Sequence, residues 1–294
     1  MLVRKSSIIG YCYGVSNTIK LAHKCLSLAR EKGLPCYSLG KLIHNDDVVT
    51  HFEQEGLKPI SQVAGNAPGL ALIRAHGVTD ADRREFERAG FELIDSTCPT
   101  VLKGVNAVRK AAKEGETIIL LGFAGHAETV GLQGVETSEG TLAKTTLITS
   151  LEEAQALIAS NSIDENEEVL VVTQTTFPEL LYEGVTDLLK KKYKNIGFGN
   201  KPCPLCEKRE LEGYKLAYQC DCVVVVGGQG SANTKNLATA AAKSGKPVFL
   251  VENASSFDGA LVEKLRGFES VALLSGSSTP MEVVDAVATL LQNI

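Results

Sequence analysis

Strand-like apolar runs in this chain end repeatedly in a cysteine, histidine or hydroxyl side chain, and a helix-like segment then begins at once. The pattern recurs at residues 10–15, 74–78, 96–99, 125–128, 173–176, 230–233 and 277–280. In open α/β sheets, ligands bind outside the carboxyl ends of the strands. We therefore expect these turns to carry the chemistry of the protein and to converge on one site.

The eight cysteines fall into two groups. Those in turns marked by glycine or proline, where a side chain can point into a cleft, are Cys12, Cys98, Cys203 and Cys206. Those in apolar helix-like or strand-like segments, which we expect to be packing residues, are Cys25, Cys36, Cys220 and Cys222. A disulfide framework is not expected, because the chain has the features of a protein from a reducing compartment.

Thiolates are soft ligands that suit zinc and iron–sulfur clusters. Three of them, one from each of three similar α/β units, would hold a [4Fe-4S] cluster and leave one iron open to a substrate oxygen. Four would close the site, as in structural or electron-transfer centres. The number of ligands therefore separates a catalytic from a non-catalytic interpretation.

A second set of side chains suits an anion. His44, His76 and His126 are three of the five histidines and lie in loop-like positions. One helix-like segment begins at Ser231 and Asn233, and another begins just after Ser277 and Ser278. Helix N-termini attract phosphates. Plain helix capping is the alternative for Ser231 and Asn233. Residues 279–282 predict a capping box with proline at the first helical position.

Glu128 is the candidate proton donor, because it follows His126 closely and could approach the hydroxyl-rich strand end at residues 173–176. The alternative is a first-turn glutamate that stabilises a helix dipole.

Composition excludes several classes of protein. The chain has 294 residues, 44% hydrophobic and 22% charged, which is typical of an ordinary globular protein. The net charge of -5 and the scattered basic residues do not favour nucleic-acid binding. No apolar stretch approaches the roughly 20 residues that span a bilayer, and no signal peptide is evident. We therefore expect a cytoplasmic protein without a membrane partner.

Continuous apolar runs predict strands that are buried on both faces, at residues 71–73, 117–121, 169–172, 222–226, 248–251 and 271–274. Helix-like segments lie between them, at residues 80–89, 233–243 and 282–291 among others. The alternation predicts an α/β fold. We expect three pseudo-symmetric α/β subdomains around a central iron–sulfur cluster, with boundaries at residues 1–97, 98–200 and 201–294.

The ordered set of motifs resembles the 4-hydroxy-3-methylbut-2-enyl diphosphate reductase family, iron–sulfur enzymes of the methylerythritol phosphate isoprenoid pathway. The resemblance covers essentially the whole chain. It is carried by residues 10–15, 44–45, 75–78, 97–99 with Lys103, 125–128, 173–176, Ser231 with Asn233, and Ser278 with Pro280.

The resemblance implies a [4Fe-4S] cluster held by Cys12, Cys98 and Cys203. It implies that the substrate diphosphate is held by His44, His76, His126, Ser231, Asn233 and Ser278. Glu128 and Thr175 would serve the substrate hydroxyl and its protonation. Two electrons from ferredoxin or flavodoxin would remove that oxygen as water and give isopentenyl and dimethylallyl diphosphates.

The chain departs from the family pattern at Ile8 with Ile9, at Val105, at Ala232 and in residues 203–209, where Cys206 follows Cys203. Two alternatives therefore stay open. One is a divergent paralogue that acts as a cluster-dependent reductase or dehydratase on another small substrate. The other is a non-catalytic protein in which Cys206 closes a zinc or cluster site.

Overall fold

The computed structural model describes residues 1–294, in which short strands alternate with helices. The strands are β1 (Leu2–Lys5), β2 (Cys36–Leu39), β3 (Leu57–Ile60), β4 (Leu70–Ile73), β5 (Glu92–Asp95), β6 (Thr117–Leu121), β7 (Thr145–Ile148), β8 (Glu168–Thr173), β9 (Asn195–Phe198), β10 (Cys222–Val226), β11 (Val248–Val251) and β12 (Ser270–Ser275). The helices are α1 (Tyr13–Lys32), α2 (Asp46–Gln54), α3 (Asp80–Arg88), α4 (Pro99–Glu114), α5 (Ala127–Gln133), α6 (Leu151–Ser160), α7 (Glu179–Lys192), α8 (Pro204–Ala217), α9 (Ala232–Ala242), α10 (Gly259–Leu265) and α11 (Met281–Gln292), with a short 3₁₀ turn at Ala254–Ser256.

The strands form three four-stranded sheets, and every strand pair is parallel. The first sheet has the order β3-β2-β4-β5, the second β7-β6-β8-β9 and the third β1-β12-β10-β11. The central strands β4 and β10 are buried along their whole length, as continuous apolar runs in helix-covered parallel sheets should be. The prediction of an α/β fold with three subdomains is confirmed.

The chain divides into two compact units. The smaller unit comprises Met1–Ser16, Ile43–His51 and Pro204–Ile294, and it contains the third sheet. The larger unit comprises Asn17–Leu42 and Phe52–Cys203, and it contains the first and second sheets. Strand β1 pairs with β12, from Leu2 opposite Ser270 to Lys5 opposite Leu273, so the start of the chain completes the third sheet. The boundaries at residues 1–97, 98–200 and 201–294 stay a prediction.

Within the larger unit, the start of α3 joins the first sheet to the second. The Asp80 amide donates to the carbonyl of Gly134 at 3.1 Å, and the Asp80 carboxylate accepts from the Glu136 amide at 2.9 Å. Arg109 on α4 donates to the same carboxylate at 2.9 Å. A side chain at Gly134 would collide with Thr79, so only glycine allows this approach. These contacts fix how α3 lies against the second sheet.

None of the helices has the length and apolar character that a membrane crossing requires.

Candidate functional site

In the larger unit, the ends of the neighbouring strands β4 and β5 carry His76 and Cys98. The chain turns sharply after β4, where the Gly77 amide donates to the Arg74 carbonyl at 2.9 Å and Gly77 has φ +76°. Cys98 occupies the cap position of α4, and its amide donates to the Ala75 carbonyl at 3.0 Å. The two turns are therefore tied together by the backbone.

His126 caps α5 at the end of β6. Its Nδ1 atom accepts a hydrogen bond from the Glu128 amide at 3.2 Å, which places the proton of the neutral ring on Nε2. The rings of His76 and His126 meet edge to face, with their centroids 5.6 Å apart. Two of the three predicted histidines are thus neighbours in the larger unit.

Glu128 is buried, with 1% of its surface exposed. One carboxylate oxygen accepts from the Thr175 amide at 2.8 Å, and the other accepts from the Thr175 hydroxyl at 2.7 Å. Burial, together with the charge of Cys203, raises the pKa of Glu128 to about 7, although the two bonds from Thr175 act in the opposite direction. A carboxyl group with this pKa can both hold and release a proton near neutral pH.

Gln174 holds the loop that carries Thr175. Its side-chain oxygen accepts hydrogen bonds from the Phe123 amide and from the Thr129 hydroxyl, both at 3.0 Å. Its side-chain nitrogen donates to the Thr176 hydroxyl at 2.6 Å. In the sequence, Gln174 is recognisable only as part of the hydroxyl-rich strand end at residues 173–176. A glutamine between threonines after a buried strand is the signal that could have identified it.

Asn200 is another residue whose role is not evident from the sequence. Its side chain accepts from the Thr173 amide at 2.8 Å and donates to the Thr173 carbonyl at 2.7 Å, so it fastens the end of β8. Nearby, the Cys203 amide donates to the Thr175 carbonyl at 2.7 Å. Cys203 directly precedes Pro204, the first residue of α8, and is half-buried. The thiol of Cys203 therefore belongs to the same loop cluster as Glu128 and Thr175.

In the smaller unit, Cys12 directly precedes α1. Its amide donates to the Ser277 carbonyl at 3.1 Å, and its sulfur accepts from the Val15 amide at 3.5 Å. Ser277 in turn donates its amide to the Asn233 side-chain oxygen at 2.8 Å. Cys12 and Asn233 are thus linked through the turn that follows β12.

Asn233 and Ser231 lie at the start of α9. Ser231 caps this helix, as the alternative interpretation of the residue predicts, and its hydroxyl accepts from the Thr234 amide at 3.3 Å. Asn233 is 3% exposed, and its side-chain nitrogen is buried without a hydrogen-bond partner. Because a buried donor is costly when it is unsatisfied, this atom is suited to an acceptor from a ligand.

His44 is placed against the third sheet by its backbone. The Ser278 hydroxyl donates to the His44 carbonyl at 3.2 Å. A Cβ atom at Gly228 would lie 2.7 Å from the same carbonyl oxygen, so glycine is required at this position. The smaller unit therefore brings His44, Ser231, Asn233 and Ser278 to the carboxyl ends of β10 and β12.

Two local predictions are wrong. Pro280 occupies the cap position of α11 rather than its first turn, and the Thr279 hydroxyl donates to the Val226 carbonyl at 3.0 Å instead of closing a capping box. Cys206 lies in the first turn of α8, not in a loop, because Pro204 begins that helix.

Arg209, on the same helix, is 3% exposed and donates to the carbonyls of Ser275 and Gly10 at 2.9 and 2.7 Å. It connects the end of β12 with the turn before Cys12.

The cysteines are sorted by burial as the sequence predicts. Cys12, Cys98 and Cys203 are half-buried, and each directly precedes the first residue of a helix. The cysteines predicted to pack in the interior, which are Cys25, Cys36, Cys220 and Cys222, are all buried. Burial raises the pKa of Cys222 to about 12, as expected for a packing thiol. None of the eight forms a disulfide.

The fold and these turns define a class of protein, namely three-sheet parallel α/β proteins with thiol, histidine and hydroxyl groups on the strand-to-helix turns. The chain belongs to the LytB protein family, whose model matches residues 3–292.

Curated relatives include proteins named 4-hydroxy-3-methylbut-2-enyl diphosphate reductase. The protein of Treponema denticola is 31% identical over 292 residues, covering 98% of both chains. That of Geotalea daltonii is 32% identical over 285 residues, covering 97% of this chain and 95% of the relative.

Two solved structures are also similar. One is the E-1-hydroxy-2-methyl-but-2-enyl-4-diphosphate reductase of Plasmodium falciparum, with TM-score 0.88, 27% identity and coverage of 99% of this chain and 88% of that one. The other is described as (E)-4-hydroxy-3-methyl-but-2-enyl diphosphate reductase, the terminal enzyme of the non-mevalonate pathway, with TM-score 0.70, 27% identity and full coverage of both chains. These relationships confirm the family resemblance and the prediction of an enzyme of the oxidoreductase class.

Proposed function

We propose that this protein removes the hydroxyl group of 4-hydroxy-3-methylbut-2-enyl diphosphate reductively, giving isopentenyl and dimethylallyl diphosphates. The allylic C–O bond breaks, two electrons and two protons enter, and the oxygen leaves as water. The names of the relatives suggest the substrate. The observation that carries the proposal for this chain is the buried Glu128 carboxyl group, held by Thr175.

Glu128 is suited to deliver a proton. Burial raises its pKa to about 7, so that near neutral pH a large fraction carries a proton. The Thr175 hydroxyl contacts the carboxylate directly and can pass a hydrogen bond on to a substrate hydroxyl. We propose that the pair orients the leaving oxygen and that Glu128 protonates it.

We propose that Cys12, Cys98 and Cys203 hold a [4Fe-4S] cluster. Three half-buried thiols, each directly before a helix, are a donor set that fits a soft metal, and the Val15 amide already donates to the Cys12 sulfur. When bound, such a cluster supplies electrons and an iron with an open position for an oxygen ligand. A soluble donor such as ferredoxin or flavodoxin would provide the electrons.

We propose that the diphosphate is bound by His44, His76, His126, Ser231, Asn233 and Ser278. The buried, unsatisfied side-chain nitrogen of Asn233 supports this assignment because it needs an acceptor. The start of α9, where Ser231 and Asn233 lie, adds amide groups and the positive end of a helix dipole. In the larger unit, the neighbouring rings of His76 and His126 add further donors.

The test is turnover of the allylic diphosphate by anaerobically reconstituted protein with a strong one-electron reductant, with both products measured by mass spectrometry. We expect iron and sulfide in a one-to-one ratio, near four of each per chain. We also expect a cluster spectrum that changes on addition of the diphosphate.

Other outcomes would contradict the proposal. A cluster that is indifferent to the diphosphate would favour a paralogue acting on another small substrate. A colourless protein loaded with zinc would favour a non-catalytic site closed by Cys206, three residues after Cys203. Replacing Cys206 by serine separates these cases, because only a four-cysteine site would lose its metal.

A further inference from the structure

A cavity of about 130 Å³ lies in the larger unit, and none of the residues assigned to the proposed reaction lines it. It is formed at the carboxyl ends of β2, β3 and β4 and is bordered by α3 and α5. Its apolar wall includes Leu39, Ile60 and Phe86. An apolar cavity of about 150 Å³ can hold a molecule as large as benzene, so this one suits a ligand of about six non-hydrogen atoms.

The polar part of the wall includes Arg74, Ser61 and Thr79. The Arg74 guanidinium packs against Gly40, where a Cβ atom would lie 2.7 Å from the nearest nitrogen, so glycine makes room for it. The Arg74 Nε atom is buried without a hydrogen-bond partner. A buried guanidinium nitrogen without an acceptor is costly, and it points to an acceptor supplied by a ligand.

Asp82, on α3, supplies the opposite charge. It lines the same cavity, and its carboxylate interacts electrostatically with Arg74. A simple anion would be attracted by Arg74 but repelled by Asp82. A simple cation would be attracted by Asp82 but repelled by Arg74. A molecule that carries both charges satisfies both residues.

We infer that this cavity is a binding site for a small zwitterion of the size of alanine. The ligand carboxylate pairs with Arg74, the ammonium group lies toward Asp82, and the short apolar side chain contacts Leu39, Ile60 and Phe86. This site is independent of the proposed reaction. Gly77 and Ala127, which also line the cavity, directly follow His76 and His126 in the chain.

The test is isothermal titration of the full-length chain with L-alanine, with acetate and methylammonium as single-charge probes. We expect alanine to bind and both probes to bind at least about tenfold more weakly. Acetate has no ammonium group to pair with Asp82, and methylammonium has no carboxylate to pair with Arg74. Equal binding of acetate would overturn the zwitterion assignment. Absence of binding by all three would mean that the cavity holds only water.

Variants locate the site. Arg74→Met and Asp82→Asn should each weaken alanine binding about tenfold or more. Asp82→Asn keeps the volume of the side chain, so it tests the charge even if Arg74→Met folds poorly. Arg88→Met, an exposed arginine at the end of α3, is the matched control and should bind alanine as the unchanged protein does. Equal binding by Asp82→Asn and Arg88→Met would refute the assignment.

Discussion

Glu128 and Thr175 lie 47 positions apart in the chain and form two hydrogen bonds, at 2.8 and 2.7 Å. The carboxyl group lies in the first turn of α5, after β6, and the threonine follows the end of β8. Because β6 and β8 are neighbours in the second sheet, their carboxyl ends meet. A surface glutamate near a helix start would remain ionised, whereas this one has a pKa near neutrality.

Replacing Glu128 by glutamine tests the role of that carboxyl group. The substitution keeps the volume and can still accept from Thr175, but it removes the titratable proton. We expect kcat to fall about 100-fold or more, with little change in diphosphate binding. Steady-state kinetics on cluster-loaded protein give both values. Glu139→Gln, in an exposed turn, is the control, and a Glu128→Gln variant as fast as this control would exclude Glu128 as the acid.

The pH dependence of turnover follows from the pKa of Glu128, about 7. The acid acts only while it holds its proton, so kcat should be constant below that pH and should fall about tenfold per unit well above it. A profile of kcat between pH 5.5 and 9 measures this. A rate that stays flat to pH 9 would contradict the assignment.

Stability should depend on the same proton. The pKa is raised from 4.5 to about 7 in the folded chain, so between these values the folded state holds a proton that the unfolded state has lost. The free energy of unfolding should therefore fall as pH rises from 4.5 to 7. Between pH 5 and pH 8, the free energy of unfolding measured in urea should fall less for Glu128→Gln than for the unchanged chain. Equal losses would show that Glu128 does not titrate in this range.

The cysteine assignments are tested by cluster content. Cys12→Ser, Cys98→Ser and Cys203→Ser should each lose most of the iron and sulfide, because a serine oxygen is a poor ligand for a soft metal. Cys25→Ala and Cys220→Ser change buried packing residues and should keep the cluster. Equal loss in both groups, measured after identical anaerobic reconstitution, would refute the division.

Asn233→Asp tests the anion site. Aspartate can still accept from the Ser277 amide, but it replaces the buried amide donor with a negative charge. We expect KM for the diphosphate to rise about tenfold or more, with a smaller effect on kcat. Asn293→Asp, at the exposed end of α11, is the control. A KM unchanged by Asn233→Asp would remove Asn233 from the binding set.

Gln174→Met tests the loop that carries Thr175. The substitution leaves two donors, the part-buried Phe123 amide and the buried Thr129 hydroxyl, without their acceptor. We expect the free energy of unfolding to fall by roughly 2 to 3 kcal/mol. Denaturant unfolding measures this change, and Gln155→Met, at an exposed position on α6, is the control. A decrease in the free energy of unfolding no larger than that of the control would mean that Gln174 does not hold the loop.

The sequence by itself determined the features that depend on neighbouring residues. Continuous apolar runs predicted β6 and β10 with their observed bounds, and the contexts of Cys25 and Cys222 predicted burial. Capping at Ser231, one of the two interpretations of that residue, also follows from the sequence, because a helix start is specified within a few residues. The family motifs identified Glu128 and Thr175 as candidates.

The tertiary structure alone decided which distant segments meet. Nothing local indicates that β1 joins β12, that Asn200 fastens Thr173, or that Arg209 reaches the carbonyls of Gly10 and Ser275. The pKa of Glu128 is also of this kind, since it results from burial beneath the neighbouring strand end. Sheet order and burial are properties of the packed chain, and they depend on contacts between residues that the sequence separates by tens to hundreds of positions.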